Sequence, residues 1–380
     1  MAADAARLFD ELGAAVVGPG FIGRIHAEAI RRVGARVRIV VARTEGGAAE
    51  ARDQCGAERA TTDYAQALSD PEVDVVHICT PNSLHFSMAT AAISAGKHVV
   101  LEKPLTITST EGKKLVREAE ASGLIHAICF NNRFYPMVQE IHEQVGRGDL
   151  GNVISVRASV LEDGLLYPSD WNWRLDPSLG GPSVALSTIG CHLIDLVSFM
   201  VGDVVSEVCA DLNTVHPRRQ PSSDLDRDVE VDGQEIAHLL VRFRKGYPGL
   251  LAVSQVAAGR RLEFSVEVDG TRRALAWEVP DPNELWVGNR DSPNQIIQRD
   301  STLISERARG YTSYAPTFRE GFVDGFKQLV AHVYTAIVDR TARAAGEALY
   351  PTFYDGLVAL QVHEAALASA KSGRWEEVAY

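Results

Sequence analysis

The sequence predicts an α/β protein with a doubly wound parallel sheet in its N-terminal part and an α/β domain with an open, largely antiparallel sheet after it. Three observations lead to this. First, an apolar run followed by G-x-G-x-x-G occupies residues 14–23. Second, apolar runs alternate with helical patterns from there to about residue 131. Third, after about residue 150 apolar runs follow one another directly. Alternation is typical of a parallel sheet covered on both faces, whereas successive strands favour antiparallel pairing. We therefore expect two domains, residues 1–131 and 132–380.

The glycine-rich segment lies between a predicted strand and a predicted helix, and each glycine answers a steric need there. Gly18 permits the tight turn, Gly20 lets a pyrophosphate approach the backbone, and Gly23 lets helix and strand pack closely. The first helical turn, with Phe21 and Ile22, then directs its N–H groups at the phosphates. This segment predicts a Rossmann-type dinucleotide site.

The residues after the second strand bear on which dinucleotide binds. An acidic side chain usually holds the ribose 2′-hydroxyl there, but this strand ends in Ala42, Arg43 and Thr44. A guanidinium and a hydroxyl suit a 2′-phosphate, which favours NADP over NAD. In the alternative, Arg43 is an ordinary surface arginine and Glu45 reaches the ribose.

The first domain is predicted from short, nearly continuous apolar runs that alternate with amphipathic segments. Strands are expected at Gly13–Val17, Val37–Val41, Val73–Cys79, Lys97–Leu101 and Ile125–Phe130, and helices at about residues 22–33, 46–55, 63–69, 83–95 and 108–122.

The second domain is predicted from runs that read as strands joined by short turns. Strands are expected at Val153–Leu161, Val204–Leu212, Glu235–Arg244, Gly249–Ala257, Arg261–Val268 and Arg273–Trp277, with helices at 316–340 and 351–372. An open sheet face is a natural wall for a substrate or for a subunit interface, so we expect a homodimer or homotetramer. The polar stretch His216–Asp228 is expected to be a surface loop or an arm.

Composition narrows the class of protein. Hydrophobic residues make up 46% and charged residues 23% of the 380 residues, as in a globular protein, and the net charge of −12 disfavours nucleic acid or a membrane surface as a partner. The five cysteines lack C-x-x-C spacing, which predicts reduced, mostly buried thiols and no metal site. No signal peptide or bilayer-spanning apolar run is recognised, so a cytoplasmic location is expected.

Two further loops are predicted at the carboxyl ends of strands, where open α/β sheets bind ligands. One follows the strand that ends at Cys79, and the other follows the strand that ends at Leu101. Taken separately, Asn82 could be a helix cap and Lys103 an exposed cation. The cofactor contacts predicted in these loops are Thr80, Pro81, Asn82, His85, Glu102 and Lys103.

Taken together, the motifs resemble those of the glucose–fructose oxidoreductase and inositol dehydrogenase (Gfo/Idh/MocA) family over nearly the whole chain. The resemblance rests on the glycine segment, Thr80-Pro81-Asn82 with His85, Ala95-Gly96-Lys97-His98-Val99 leading to Glu102-Lys103-Pro104, Arg133-Phe134, Gly180-Gly181 and Gly190-Cys191-His192-Leu193-Ile194-Asp195. It implies a nicotinamide cofactor and oxidation of a sugar or cyclitol hydroxyl, or reduction of the corresponding ketone.

The resemblance also implies roles for particular side chains. Hydride transfer from a carbinol carbon needs a base for the hydroxyl proton, and the family's equivalent of His192 serves as that base. Lys103 would stabilise the developing alkoxide, held by Glu102. Asp195 lies one helical turn after His192 and could hold a sugar hydroxyl.

Two departures from the family's pattern stand near His192. Thr188 replaces the usual acidic residue four positions earlier, and Pro182 replaces the third glycine of Gly-Gly-Gly. A hydroxyl cannot supply a carboxylate's charge. Either Lys103 and His192 alone carry proton transfer, or the substrate binds in another orientation, or redox turnover has been lost.

The resemblance implies further substrate contacts before His192 in the sequence, although a pair of tryptophans is in general more often part of a core or an interface. Aromatic faces stack on sugar rings while amide, guanidinium and carboxylate groups meet hydroxyls. Arg133 could instead be structural, in a salt bridge under the sheet. The candidates are Trp171, Trp173 and Arg174, together with Asn131, Arg133 and Thr188.

The sequence therefore predicts an NAD(P)-dependent oxidoreductase acting on a carbohydrate, a cyclitol, or an aminosugar or aminoglycoside intermediate. Two alternatives from the same family stay open. One is a dinucleotide-binding sensor or regulator without turnover. The other is a glycosidase that uses tightly bound NAD in a transient oxidation and elimination.

Overall fold

The computed structural model describes residues 9–220, 229–339 and 349–380. Residues 221–228 of the predicted polar loop and residue 340 of a predicted helix lie outside these ranges. The chain divides into two compact units: unit 1 comprises Met1–Asn131 and Phe322–Leu357, and unit 2 comprises Asn132–Gly321 and Val358–Tyr380.

Unit 1 is built on a six-stranded sheet in which every pairing is parallel, in the order β3-β2-β1-β4-β5-β6. This confirms the predicted doubly wound sheet. The strands are β1 (Gly13–Val17), β2 (Arg36–Val41), β3 (Arg59–Thr61), β4 (Val75–Ile78), β5 (His98–Leu101) and β6 (His126–Ile128). The helices that follow them are α1 (Phe21–Arg32), α2 (Glu45–Cys55), α3 (Tyr64–Ser69), α4 (His85–Ser94) and α5 (Ser109–Ser122).

The centre of this sheet is almost wholly apolar. All five residues of β1 are buried, and Val16 lies opposite Val40 of β2 and His77 of β4. Strands buried on both faces read as continuous apolar runs, which is why these strands were recognisable in the sequence. The edge strand β3 has only three residues and was missed.

The later segment of unit 1 supplies a helix that packs against α1. A helix was expected at 316–340, and α10 spans Phe322–Val338. Its Asp324 carboxylate accepts a hydrogen bond from the Arg32 guanidinium at 2.6 Å. The ring of Phe326 lies edge-on to that of His26, with 5.2 Å between the ring centroids.

Unit 2 is built on a nine-stranded mixed sheet, in the order β16-β15-β14-β13-β7-β12-β11-β8-β17. Only the pairing of β7 with β12 is parallel, which confirms the predicted largely antiparallel sheet. Its strands are β7 (Val153–Glu162), β8 (Val205–Asn213), β11 (Ile236–Phe243), β12 (Pro248–Ser254), β13 (Arg261–Gly270), β14 (Ala274–Glu278), β15 (Glu284–Gly288), β16 (Gln295–Gln298) and β17 (Glu376–Glu377).

The sheet of unit 2 has one covered and one exposed face. Along β11 the buried residues Ala237, Leu239 and Val241 alternate with exposed ones. Leu240, 51% exposed, pairs across the strands with Leu250, which is 45% exposed. The remaining helices are α6 (Pro136–Gly146), α7 (Pro177–Gly180), α8 (Cys191–Val201), α9 (Glu306–Arg309) and α11 (Phe353–Ser372). Helix α8 packs on β7 and β13.

Part of the predicted surface loop is structural. Arg218–Arg219 (β9) pairs with Val229–Glu230 (β10) in a small antiparallel ribbon. The Arg219 side chain is fully buried and its guanidinium donates to the Glu235 carboxylate at 2.6 Å. The surface-loop interpretation is therefore wrong for this residue, because the buried carboxylate compensates the charge that the sequence pattern placed in solvent.

None of the helices in the described ranges combines the length and apolar character needed to cross a bilayer. All five cysteines lie within these ranges and none forms a disulfide.

Candidate functional site

The turn between β1 and α1 has the geometry that its glycines predict. Gly18 adopts a φ of +82°, and a Cβ placed on it would stand 2.7 Å from the carbonyl oxygen of Cys79. A Cβ on Gly23 would stand 2.4 Å from the carbonyl oxygen of Gly18. Both positions therefore require glycine, for the turn and for the close approach of helix to strand.

Gly20 differs from its two neighbours, because a Cβ there would meet nothing within 4 Å. It precedes the first turn of α1, where no side chain caps the helix and no acidic residue occurs. Phe21 is 71% exposed. Open space beside uncapped N–H groups fits the pyrophosphate of a dinucleotide, which the helix dipole also favours.

The end of β2 presents the residues that would meet the adenosine ribose. Thr44 caps α2, since its hydroxyl accepts the Gly47 N–H at 3.2 Å. Arg43 is exposed. Glu45, the alternative ribose ligand, accepts a hydrogen bond from the Thr62 hydroxyl at 2.9 Å.

The loop after β4 is held by His85. This ring is fully buried, and its nitrogens lie 2.7 Å from the Pro104 carbonyl oxygen and 3.1 Å from the Thr80 carbonyl oxygen. Burial lowers the pKa of His85, while both carbonyls act in the opposite direction. His85 thus ties the loop after β4 to the loop after β5. Asn82, only 3% exposed, begins a short 3₁₀ turn after Pro81.

Thr80 gives a further indication of a ligand at this edge. Its Oγ1 is buried, and the residues that the structure describes offer it no hydrogen-bond partner. Buried hydroxyls are normally satisfied, so an orphaned one beside a candidate site fits a group supplied by a ligand.

The loop after β5 carries the Glu-Lys-Pro motif. Glu102 is 7% exposed, and its carboxylate accepts the backbone N–H of Lys103 at 3.2 Å. The Lys103–Pro104 peptide bond is cis, and Lys103 is half-buried. Asn131, 2% exposed, follows β6 at the same edge.

The strand order brings these loops together. Strands β2, β1, β4, β5 and β6 are consecutive neighbours and all parallel, so their carboxyl ends share one edge of the sheet. The glycine turn, the Thr80 loop and Lys103 therefore occur side by side on unit 1, at the position where sheets of this kind bind nucleotides.

In unit 2, Arg133 and Asp195 pair with each other. The Arg133 Nε donates to one Asp195 oxygen at 2.9 Å, and its Nη2 donates to the other oxygen. Asp195 is 4% exposed, and the guanidinium lies 4.9 Å from the centroid of the Phe199 ring. This bidentate pair gives both side chains a partner within unit 2, in line with the structural alternative for Arg133.

Thr188 and His192 lie on consecutive helical turns. Residues Leu186–Gly190 form a π-helical turn, and α8 begins at the next residue. Both side chains are half-buried, and the His192 ring stands edge-on to Phe264 with 6.5 Å between centroids. Single π-helical turns occur often at functional sites, and this one was not recognised in the sequence.

The tryptophan segment is arranged by its own contacts. Trp171 packs on a cluster that includes Leu165 and Leu175. The Arg174 guanidinium lies 4.4 Å from the centroid of the Trp173 ring, a cation–π stack. Arg219 donates to the carbonyls of Tyr167, Asp170 and Leu165 and so holds the segment that leads to Trp171.

Sequence reasoning missed a buried polar cluster under the sheet edge of unit 1. It consists of His26, His77, Glu102, Cys129 and Tyr334. The available signal was the presence of His26 on the packed face of α1 and of His77 within an apolar strand.

These features define a Rossmann-type dinucleotide-binding protein, since the glycine turn, the orphaned hydroxyl and the parallel sheet fit a dinucleotide. Residues 12–130 match the family model described as "Oxidoreductase family, NAD-binding Rossmann fold". Residues 138–276 match the model of the GFO/IDH/MocA C-terminal domain. The chain belongs to the Gfo/Idh/MocA family, which confirms the resemblance seen in its motifs.

Relatives in this family match nearly the full chain. A levoglucosan dehydrogenase of Pseudarthrobacter phenanthrenivorans is 29% identical over 97% of this chain and 98% of its own length. A solved levoglucosan dehydrogenase in complex with NADH and L-sorbose has a TM-score of 0.89 at 27% identity, covering 97% of this chain and 99% of that one. An inositol dehydrogenase homolog from Azotobacter vinelandii complexed with NAD⁺ has a TM-score of 0.88 at 25% identity, covering 97% of each chain.

Proposed function

We propose that this chain transfers a hydride between a nicotinamide cofactor and a hydroxyl or ketone carbon of a carbohydrate or cyclitol. The observation that carries the proposal is the placement of the glycine turn and Lys103 at one edge of the unit 1 sheet. The levoglucosan dehydrogenase and the inositol dehydrogenase homolog among the relatives support the substrate class. We assign the dinucleotide to residues 1–131 and the substrate to residues 132–380, the domains expected from the sequence, with the difference that Phe322–Leu357 belong to unit 1.

We assign cofactor contacts to the residues of unit 1 that follow its strands, with NAD supported by the relatives bound to NADH and NAD⁺. A preference for NADP is a finer proposal. It rests on Arg43, which is exposed at the end of β2, and on Glu45, whose carboxylate is engaged by Thr62. An arginine fork at this position is able to bind a 2′-phosphate bidentately.

We assign proton transfer to Lys103 and His192. An imidazole both accepts and donates a proton near neutral pH, as oxidation and reduction of a carbinol require in turn. The Lys103 ammonium stabilises negative charge on the reacting oxygen. The bound nicotinamide supplies or accepts the hydride.

Substrate contacts are assigned to the residues around His192 and in the tryptophan segment. Thr188 offers a hydroxyl where a carboxylate is usual, so it accepts or donates a hydrogen bond without taking a charge. Trp173 and Arg174 present a stacked aromatic and cationic surface that suits a ring with several hydroxyls. Asn131, Trp171, Arg133 and Asp195 are further assigned contacts, of which Arg133 and Asp195 also pair with each other and Trp171 also packs on the Leu165 cluster.

We further propose a homodimer or homotetramer formed through the exposed face of the unit 2 sheet. Leu240 and Leu250 stand next to each other on that face and are about half exposed. Adjacent exposed apolar side chains mark association surfaces more often than isolated ones do. Light scattering of the purified protein tests this directly, and a monomeric mass at micromolar concentration would reject it.

The function is tested by titrating the protein with NADH and NADPH by fluorescence, followed by nicotinamide absorbance with a panel of sugars, ketosugars and cyclitols. Binding and a substrate-dependent absorbance change would establish the oxidoreductase. Binding without change across the panel would favour a sensor, which the loss of the carboxylate at Thr188 makes the second candidate. A co-purifying cofactor with release of a leaving group from a glycoside would identify a glycosidase. Absence of binding would reject the nucleotide site.

A further inference from the structure

The buried polar cluster of unit 1 forms a continuous chain of hydrogen bonds. The Tyr334 hydroxyl lies 2.9 Å from His77 Nε2, and His77 Nδ1 lies 2.8 Å from His26 Nδ1. His26 Nε2 lies 3.2 Å from Glu102 Oε1. Tyr334 and both histidines are completely buried. The hydrogen bonds therefore connect α10, through β4 and α1, to the Glu-Lys-Pro loop.

The number of protons available fixes the direction of donation along this chain of hydrogen bonds. A single proton occupies the contact between the two Nδ1 atoms, because two would repel and none would leave two lone pairs facing each other. When His77 donates that proton, neutral His26 carries its own proton on Nε2 and donates it to the Glu102 carboxylate. His77 Nε2 then accepts the Tyr334 hydroxyl proton. Every contact is satisfied with both rings neutral and Glu102 ionised.

The reversed chain is less favourable. If His26 donates at the central contact, an additional proton must lie between His26 Nε2 and Glu102, and His77 Nε2 must donate to Tyr334. The Tyr334 hydroxyl proton then needs another acceptor, and His77 Nε2 is the hydrogen-bond partner that the structure gives this hydroxyl within residues 9–220, 229–339 and 349–380. A buried donor left unsatisfied is unfavourable, so Tyr334 selects the first direction.

The chain of hydrogen bonds ends at Glu102, the residue before Lys103. The Glu102 carboxylate accepts from His26 through Oε1 and from the Lys103 backbone N–H through Oε2. Cys129 Sγ lies 3.6 Å from His26 Nε2, and burial together with Glu102 raises the pKa of this thiol well above its usual range. A protonated thiol adds another donor beside the carboxylate and leaves the charge on Glu102.

We propose that Tyr334, His77 and His26 are positioning residues, which form a one-directional relay that keeps Glu102 ionised and fixed and so sets the position of Lys103. The proposal rests on the role assigned to Lys103 under the proposed function. None of the three residues needs to contact the substrate, because they act through the carboxylate and the backbone of the Glu-Lys-Pro loop.

A metal ion is the competing occupant of the same cluster. One ligand atom each of His26, Glu102 and Cys129 lies within 4.8 Å of the others. Binding a zinc ion would require a deprotonated thiol and a bare His26 Nε2, which is incompatible with donation from that nitrogen to Glu102. Metal binding and the relay therefore exclude each other, and the experiment separates them.

The direct test is neutron crystallography of the deuterium-exchanged wild-type protein near pH 7.5, with metal analysis of the same preparation. The relay requires deuterium on His77 Nδ1, on His26 Nε2 and on the Tyr334 oxygen facing His77. Deuterium on His26 Nδ1 or on the Glu102 carboxyl, or one zinc ion per chain, would overturn it. This result does not depend on turnover, so it stands or fails separately from the proposed function.

The functional test uses Tyr334→Phe, with Tyr64→Phe as the matched control. Tyr64 also loses one hydrogen bond in unit 1, from its hydroxyl to the Met88 carbonyl oxygen at 3.0 Å. With a substrate found in the absorbance screen, Tyr334→Phe is expected to lower kcat roughly tenfold, while Kd for NADH and KM for the substrate stay unchanged. The control keeps the wild-type kcat. Equal kcat in both variants, or a loss confined to cofactor binding, would overturn the positioning role.

Discussion

Replacing Gly20 by alanine separates cofactor binding from folding. The residue has a φ of −70° and a ψ of −162°, which alanine adopts without strain, and a Cβ there meets nothing within 4 Å. Gly20 is the N-cap of α1, where alanine is less favourable than glycine, so we expect the free energy of unfolding to fall by no more than about 1 kcal/mol. The added methyl group would occupy the space assigned to the pyrophosphate. Losing one charge-assisted hydrogen bond costs about 1.5–3 kcal/mol, which raises Kd about 10- to 150-fold.

Two further variants serve as comparisons for Gly20→Ala. Gly18→Ala is expected to reduce stability, because it forces a side chain into a φ of +82° and against the Cys79 carbonyl, and the left-handed conformation alone costs about 1–2 kcal/mol. Gly146→Ala, at another open position at the end of α6, should leave Kd unchanged and raise stability by at most about 1 kcal/mol, because alanine favours the helix. Urea denaturation measures stability and NADH fluorescence measures Kd. Wild-type affinity in Gly20→Ala would refute the placement of the pyrophosphate.

Three other predictions concern catalysis, cofactor choice and pH. Lys103→Met and His192→Gln should each lower kcat by about 10²- to 10⁴-fold with little change in Kd for NADH, and an unchanged rate in the double variant would reject both assignments. Arg43→Ala should weaken the binding of NADPH by about 1.5–3 kcal/mol and leave the binding of NADH nearly unaffected. Equal losses of binding free energy for both cofactors would show that Arg43 does not contact the 2′-phosphate. Burial lowers the pKa of His363 from 6.5 to about 4. Because the unfolded chain then binds the proton first, stability should fall by about 2 kcal/mol between pH 7 and pH 5, and His363→Leu should remove that part of the loss in urea titrations.

The sequence predicted those parts of the fold that are determined by local pattern. Strand β1 was found because all five of its residues are buried, and the glycine turn because its steric needs allow few other residues. The three-residue edge strand β3 and the π-helical turn before α8 carry too little pattern to be seen.

Contacts between residues far apart in the sequence could not be predicted from it. Arg133 and Asp195 were expected to meet a substrate, and their pairing depends on how residues 62 positions apart are brought together. The contact between His77 and Tyr334, which are 257 positions apart, likewise depends on tertiary packing. Charge and hydrogen-bonding capacity are visible in a sequence, but the partner that satisfies them is decided by tertiary packing.

The composition of unit 1 from two separate segments affects how the protein is made. Helix α10 contacts α1 through Asp324 and Phe326 and strand β4 through Tyr334, whereas the last strand of the sheet ends at Ile128. During synthesis the six strands leave the ribosome long before this helix does, and at about 5–20 residues per second the delay is on the order of ten seconds or more. Through that interval the packed face of α1 and the buried ring of His77 lack their final covering. A sheet synthesised before its covering helix exposes apolar surface during that interval, and such surface is prone to aggregation and to chaperone binding.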